Sequence, residues 1–171
     1  MGVRAGILFV FGALIAFTAN LHDLVFSTNT LAIALIAVAV SNFAAAAVLT
    51  KRLPNTPLIV HFVAGGLAGA ALLVMNPSLQ VLSLVATIWA ALTAAADVWA
   101  GWIDPNKAQG RELKTAGVLA GLLTLLLLLV PATPVSILGL FGGYCFVVGV
   151  FLAIAAYDPK LSVKKEFEDD R

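Results

Sequence analysis

The chemistry that this sequence could carry centres on Asp97, which lies in the otherwise apolar segment ALTAAADVWAGW. An ionised carboxylate removed from water is costly unless it is paired, so a partner is expected. His61 is the first candidate, because an imidazole titrates near physiological pH and could exchange a proton with the carboxylate. Lys114, at the start of a later apolar segment, is the rival partner. We therefore predict an intramembrane polar pair of Asp97 and His61, which either fixes helix packing or responds to pH.

Position along the chain places the two members of this pair at similar depth. Pro77 marks the turn between their segments, and His61 lies 16 residues before it whereas Asp97 lies 20 residues after it. At 1.5 Å per helical residue, the difference amounts to roughly 6 Å. A helical wheel puts Asp97 on a stripe of small and polar residues, which should face other helices. The bulky residues on the remaining arc, expected to meet lipid or its interface, include Trp89, Trp99 and Trp102.

Patterns for catalysis and for metal binding are missing from the sequence. It has no HExxH, no GxSxG with histidine and acid partners, and no phosphate-binding loop. Cys145 is the only cysteine, which excludes an internal disulfide and a multi-cysteine metal site. The net charge of +1 does not favour a nucleic-acid partner. We predict a protein that is not an enzyme, with no catalytic, cofactor-binding or metal-binding residues and no cofactor.

The composition predicts a membrane protein. Of the 171 residues, 61% are hydrophobic and 11% are charged, whereas soluble domains carry about 25% charged residues. Polar, turn-rich breaks leave six apolar segments, each near the ~20 residues that a bilayer span needs. We therefore predict an all-α fold, a six-helix transmembrane bundle over residues 1–157. It consists of three helical hairpins (about 3–50, 58–102 and 114–157) and is followed by a charged cytoplasmic tail, 158–171.

The distribution of basic residues predicts the orientation of this bundle. With six spans, all ten Lys and Arg residues fall on the side of the two termini, and the opposite loops contain none. Cytoplasmic loops carry an excess of Lys and Arg. We therefore expect both termini in the cytoplasm and the chain in the inner (plasma) membrane. One of the opposite loops contains His22 and Asp23, which we expect to be solvated.

Small residues could bring the helices close together inside lipid. Several glycines form GxxxG pairs, which permit close backbone approach between helices. Such contacts could serve packing within the chain or a face for another subunit. Asn42, within the second span, is expected to hydrogen-bond across helices. The predicted helix-packing residues are Gly65, Gly69, Thr93, Gly101, Gly117, Gly121, Gly139 and Gly143.

The segments AALTAAADVWAGW and GVLAGLLTLLLLLVPATPVSILGLFGGYCFVVGVFLAIAAY resemble the HdeD-like family of small polytopic membrane proteins. Asp97 matches an acidic residue common late in the fourth helix of that family. Pro131 matches a proline after the fifth span, and Gly149-Val150 a Gly-Val pair late in the sixth. The resemblance covers about residues 3–157, although the first hairpin departs from it in the longer turn NLHDLVFSTNTL. It implies a non-catalytic membrane protein linked to acid resistance.

Two functions from different classes agree with these features. The first is an accessory or assembly subunit, which packs its small-residue faces against a larger membrane complex such as a respiratory-chain assembly. The second is a free-standing acid- and stress-resistance protein of the HdeD-like type, which responds through Asp97 and His61. A small transporter or channel is a minor alternative. The expected partners are the lipid bilayer and other membrane-protein subunits or a second copy of the chain.

Overall fold

The fold is all-helical over the residues that the structure, a computed structural model, describes: 2–49, 56–104 and 107–156. These ranges contain six α-helices, no strand, and a single 3-10 turn, Ala19–Leu21, between the first two helices. The tail predicted at 158–171 lies outside the described residues. The helices are α1 (Gly2–Phe17), α2 (Leu24–Leu49), α3 (Thr56–Val74), α4 (Leu79–Ile103), α5 (Lys107–Leu129) and α6 (Pro134–Ala156).

Helix length and composition agree with a multi-pass membrane protein. Four helices contain segments long and apolar enough to cross a membrane, whereas α1 and α3 contain shorter apolar segments, Val3–Phe17 and Ile59–Val74. The structure thus confirms the all-α prediction for the described residues. The four long segments are Leu24–Ala44, Leu79–Ile103, Gly110–Leu129 and Pro134–Ile154.

Side-chain caps begin the even-numbered helices. An Asp23 carboxylate oxygen accepts a hydrogen bond from a backbone N–H in the first turn of α2, at 2.7 Å. Ser78 does the same for α4 at 3.2 Å, and Thr133 for α6 at 3.0 Å. A cap satisfies backbone donors that have no partner within the helix. The three caps therefore set where the return helix of each hairpin starts.

The helices contact one another in a closed ring. Each helix packs against the next one in the chain, and α6 returns to pack against α1. The most extensive contacts are those of α4 with α5, α1 with α6 and α2 with α3. These three contacts join different hairpins of the predicted set, and the contacts within each hairpin are smaller.

Glycines allow the close approach of α2 to α3. A Cβ added to Gly65 would lie 3.1 Å from the carbonyl oxygen of Leu35, and one added to Gly69 would lie 2.6 Å from a side-chain carbon of Ile36. Real Cβ atoms are almost never found closer than 3.0 Å to such neighbours. Both predicted packing glycines thus lie where two helices meet.

The contact between α4 and α5 depends on glycines in the same way. A Cβ added to Gly101 would lie 2.5 Å from the carbonyl oxygen of Gly110, and one added to Gly117 would lie 2.8 Å from the backbone nitrogen of Val98. Gly121 is less constrained, since its added Cβ would find its nearest neighbour at an ordinary 3.9 Å.

The glycines that bring α1 against α6 are different from those predicted. A Cβ added to Gly12 would lie 2.6 Å from the backbone nitrogen of Phe146, and one added to Gly149 would lie 2.7 Å from that of Phe9. Gly142 packs equally closely, since its added Cβ would lie 2.5 Å from a side-chain carbon of Ile15 on α1. This contact was not foreseen, because none of its glycines forms a GxxxG pair with another of them.

Gly139 and Gly143 take no part in packing among the described residues, contrary to the internal role considered for them. Both are exposed, and a Cβ added to either would meet nothing within 4 Å. Gly142 and Gly149 share the inner face because seven residues span nearly two full turns. At 100° per residue, Gly139 and Gly143 are rotated by about 60° and 100° from Gly142. The GxxxG pattern on α6 therefore marks its outer face.

Trp89 corrects a second expectation, since it is buried in the bundle rather than facing lipid. Its ring lies edge-on to Phe141 and Tyr144, at centroid distances of 5.5 and 6.1 Å. An added Cβ on Gly65 would lie 3.7 Å from the Trp89 indole nitrogen, so the missing side chain of Gly65 leaves room for the ring. Trp99 and the later Trp102 are exposed, as expected.

We predict that Gly12→Ala destabilises the bundle, because the new Cβ would collide with the backbone of α6. Overpacking of this kind costs about 1–3 kcal/mol. Reversible unfolding by SDS in mixed micelles measures the change. Gly6→Ala is the matched control on the same helix, since a Cβ there would meet nothing within 4 Å. Equal stability of the two variants would contradict the close contact of α1 with α6.

Candidate functional site

The antiparallel arrangement of α3 and α4 brings His61 and Asp97 to the same end of the bundle. His61 lies in the second turn of α3, and Asp97 lies six residues before the end of α4. The short turn after Val74 and the Ser78 cap join the helices at their other ends. The similar depth predicted for His61 and Asp97 therefore agrees with the arrangement of α3 and α4.

The His61 and Asp97 side chains are in direct contact. His61 Nε2 lies 2.6 Å from Asp97 Oδ1, and both side chains are buried. An ionised carboxylate only accepts hydrogen bonds, so we assign the proton of this bond to Nε2 of the imidazole. Such a bond to a charged acceptor is stronger than one between neutral groups.

A third side chain completes the site, and sequence reasoning missed it. Arg4, from α1, places Nη2 at 3.5 Å from Asp97 Oδ2, which makes an ion pair across the bundle. The Asp97 side chain is 0% exposed and that of Arg4 is 14% exposed. Arg4 had been considered only as a marker of membrane orientation. Its position could have indicated this role, because Arg4 lies near the start of α1, at the same end of the bundle as His61 and next to the buried Ala5.

Lys114, the rival partner, lies elsewhere. Its Nζ lies 5.7 Å from the centroid of the exposed Trp102 ring, a cation–π distance. Its side-chain stem lies beside Gly101, where α4 and α5 touch. The lysine is exposed and is not a partner of the buried Asp97 carboxylate.

Two more of the polar residues considered on the sequence are buried. Thr93 lies one turn before Asp97 on α4 and is buried, as its predicted packing role requires. Asn42 of α2 is also buried. Neither the Thr93 hydroxyl nor Asn42 Nδ2 has a hydrogen-bond partner among the described residues. This amide nitrogen therefore makes no hydrogen bond to another helix within the described residues.

His22 departs from its expected place in a solvated loop. It is buried, its Nε2 lies 3.1 Å from the carbonyl oxygen of Ile15, and its ring stacks on Phe26. The 3-10 turn after α1 directs this side chain back onto the helix. His22 therefore fixes the connection between α1 and α2, whereas Asp23 beside it is exposed.

The cluster of Arg4, His61 and Asp97 is balanced in charge when His61 is neutral. One guanidinium and one carboxylate offset each other, and the imidazole supplies the hydrogen bond. Leaving either charge without its partner in a buried site is much less favourable than keeping the pair. The arrangement therefore links α1, α3 and α4 at one end of the bundle, and it also places an imidazole where a proton could be exchanged.

The cluster does not have the composition of a metal centre. Across 2–49, 56–104 and 107–156, no three His, Cys, Asp or Glu side chains are grouped so that they could hold a metal ion.

Comparison with known proteins gave no match to a family model, to a curated protein or to a solved structure. The resemblance to the HdeD-like family therefore stays a prediction.

We predict that Asp97→Asn lowers the free energy of unfolding by about 3 kcal/mol, because Arg4 is left with no counter-charge. Unfolding by SDS in mixed micelles measures this loss. Asp23→Asn is the matched control, since it removes an exposed carboxylate and asparagine caps a helix equally well.

The double variant Arg4→Gln/Asp97→Asn separates the ion pair from local packing. We expect it to lose less stability than the sum of the two single variants, by more than about 1 kcal/mol, as directly interacting residues do. Strict additivity would show that the two charges do not stabilise each other.

Proposed function

We propose that the chain is a non-catalytic integral membrane protein in which all six helices cross the inner membrane. Its exposed surface is rich in large apolar side chains, while Arg4 and Asp97 pair inside. The apolar segments of α1 and α3 span about 22–24 Å at 1.5 Å per residue. Local thinning of the bilayer and flanking residues accommodate such a mismatch. The basic residues support a cytoplasmic location for both termini.

Within this membrane setting, the chain acts as an accessory or assembly subunit of a larger complex, such as a respiratory-chain assembly. The exposed Gly139 and Gly143 on the outer face of α6 carry this proposal. Lipid gives helices no hydrophobic reason to associate, so association depends on close packing between small residues. A glycine pair with open space in front of it suits the approach of a helix from another subunit. The ionisable groups of the buried cluster then serve stability.

The test is purification of the tagged chain from native membranes in mild detergent, followed by mass spectrometry and a visible absorption spectrum. We expect stoichiometric membrane-protein partners, and we expect Gly139→Leu to lower their recovery at least fivefold because the leucine separates the helices. The matched control is Gly66→Leu on α3, where an added Cβ also meets nothing within 4 Å. Recovery of the chain without partners, or equal recovery with both variants, would exclude the accessory role.

A free-standing HdeD-like role in acid and stress resistance is the second candidate. The contact that favours it is the 2.6 Å hydrogen bond of His61 to Asp97, which joins an imidazole to a carboxylate inside the bundle. Protonation of either group would change the charge of the cluster and its hydrogen bonding. A small transporter or channel is a lesser alternative, and no contact of the described residues favours it.

This second role predicts a defect in acid survival when the chain is deleted, and no rescue by the Asp97→Asn variant. Asp23→Asn should rescue survival fully, because its carboxylate lies outside the cluster. Colony counts after acid challenge measure the effect, with immunoblots to confirm equal amounts in the membrane. Rescue by Asp97→Asn at equal abundance would remove the acid-sensing role.

A further inference from the structure

An open groove of about 580 Å³ lies on the outer surface between α4 and α5. Small residues, among them Ala94, Ala95 and Gly121, leave the space between the helices empty. Trp99 and Trp102 border the groove and are 67% and 75% exposed. The volume falls in the range of small-molecule sites, about 300–1,000 Å³. The groove is thus large enough for part of a lipid molecule, and its lining is almost entirely apolar.

One end of this groove carries a basic side chain. Lys114 Nζ lies 5.7 Å from the centroid of the Trp102 ring, so the ammonium is next to a residue that lines the groove. Arg111 lies one turn earlier on α5 and is also exposed. The carboxylates nearest in sequence, Asp104 and Glu112, each take part in an interaction within the chain. The end of the groove therefore combines the exposed Lys114 ammonium with an exposed tryptophan, and Arg111 lies one turn away on the same helix.

We infer that this groove binds an anionic phospholipid, with an acyl chain along Ala95 and Gly121 and the headgroup phosphate at Lys114. The inference rests on the proposed membrane location. Tryptophan favours the level of the lipid headgroups, which matches the position of Trp102 at the charged end. Basic pockets between transmembrane helices on the cytoplasmic side bind anionic headgroups.

Tryptophan fluorescence tests the site without altering the chain. The protein is placed in nanodiscs of phosphatidylcholine that contain increasing fractions of brominated phosphatidylglycerol or, in a parallel series, of brominated phosphatidylcholine. Bromine quenches nearby tryptophans, so Trp99 and Trp102 report the lipid in the groove, and the buried Trp89 supplies an unquenched background. We expect half-maximal quenching at a several-fold lower fraction of phosphatidylglycerol than of phosphatidylcholine.

Two variants assign this preference to the groove. Lys114→Gln should weaken the preference for phosphatidylglycerol about fivefold, which is the effect of one basic residue near a membrane surface. Ala95→Leu fills the groove and should reduce quenching by both lipids. The control for the added bulk is Gly66→Leu on α3, where an added Cβ also meets nothing within 4 Å. This control should behave as the wild-type chain.

The outcomes separate this inference from the proposed function. Absence of quenching by either lipid would show that the tryptophans do not meet a bilayer, which would overturn the membrane location and the lipid site together. Equal quenching by the two lipids, or a preference unchanged by Lys114→Gln, would overturn the lipid site alone. A dimer of the chain that is dissociated by Ala95→Leu would show that a second copy occupies the groove, and it would also overturn the lipid site.

Discussion

The arrangement of the helices depends on one buried carboxylate. Asp97 is fully removed from solvent, and a charge in such a place is tolerated only with partners. The partners come from two other helices, Arg4 on α1 and His61 on α3. Since α1 is far from α4 along the chain, the ion pair fixes a contact that the hairpin connections alone do not determine. Both longitudinal position and rotation of α4 must keep Asp97 within reach of these two side chains.

Glycines provide the close approach of the helices that this ion pair requires. If helices are to approach until a guanidinium on α1 reaches a carboxylate on α4, the neighbouring helices must also pack closely. Gly12 and Gly149 permit this for α1 and α6, as Gly65 does for α2 and α3. Each lies where an added Cβ would press on a neighbouring helix, so an alternative register would lose the contact. Charge pairing and close backbone approach thus favour the same arrangement.

From the sequence, the relative depth of two residues could be predicted only when both lie in the same hairpin. Asp97 and His61 could be matched because both distances were counted from a single turn, at Pro77. Arg4 could not, since no count along the chain relates α1 to α4; the contact arises from ring closure. The environment of Trp89 was missed because a helical wheel shows direction but not the empty space opposite Gly65. The GxxxG pattern likewise identifies a face able to pack, as at Gly139, without showing whether the partner lies within the chain.

One segment near the end of α4, residues 94–102, has side chains in three different environments. Asp97 points to the buried cluster, Val98 and Gly101 pack on α5, and Trp99 and Trp102 face outward. A rotation of α4 that relieved a change of charge at Asp97 would also move the two tryptophans that border the groove. The buried cluster and the outer surface are therefore coupled through one rigid helical segment.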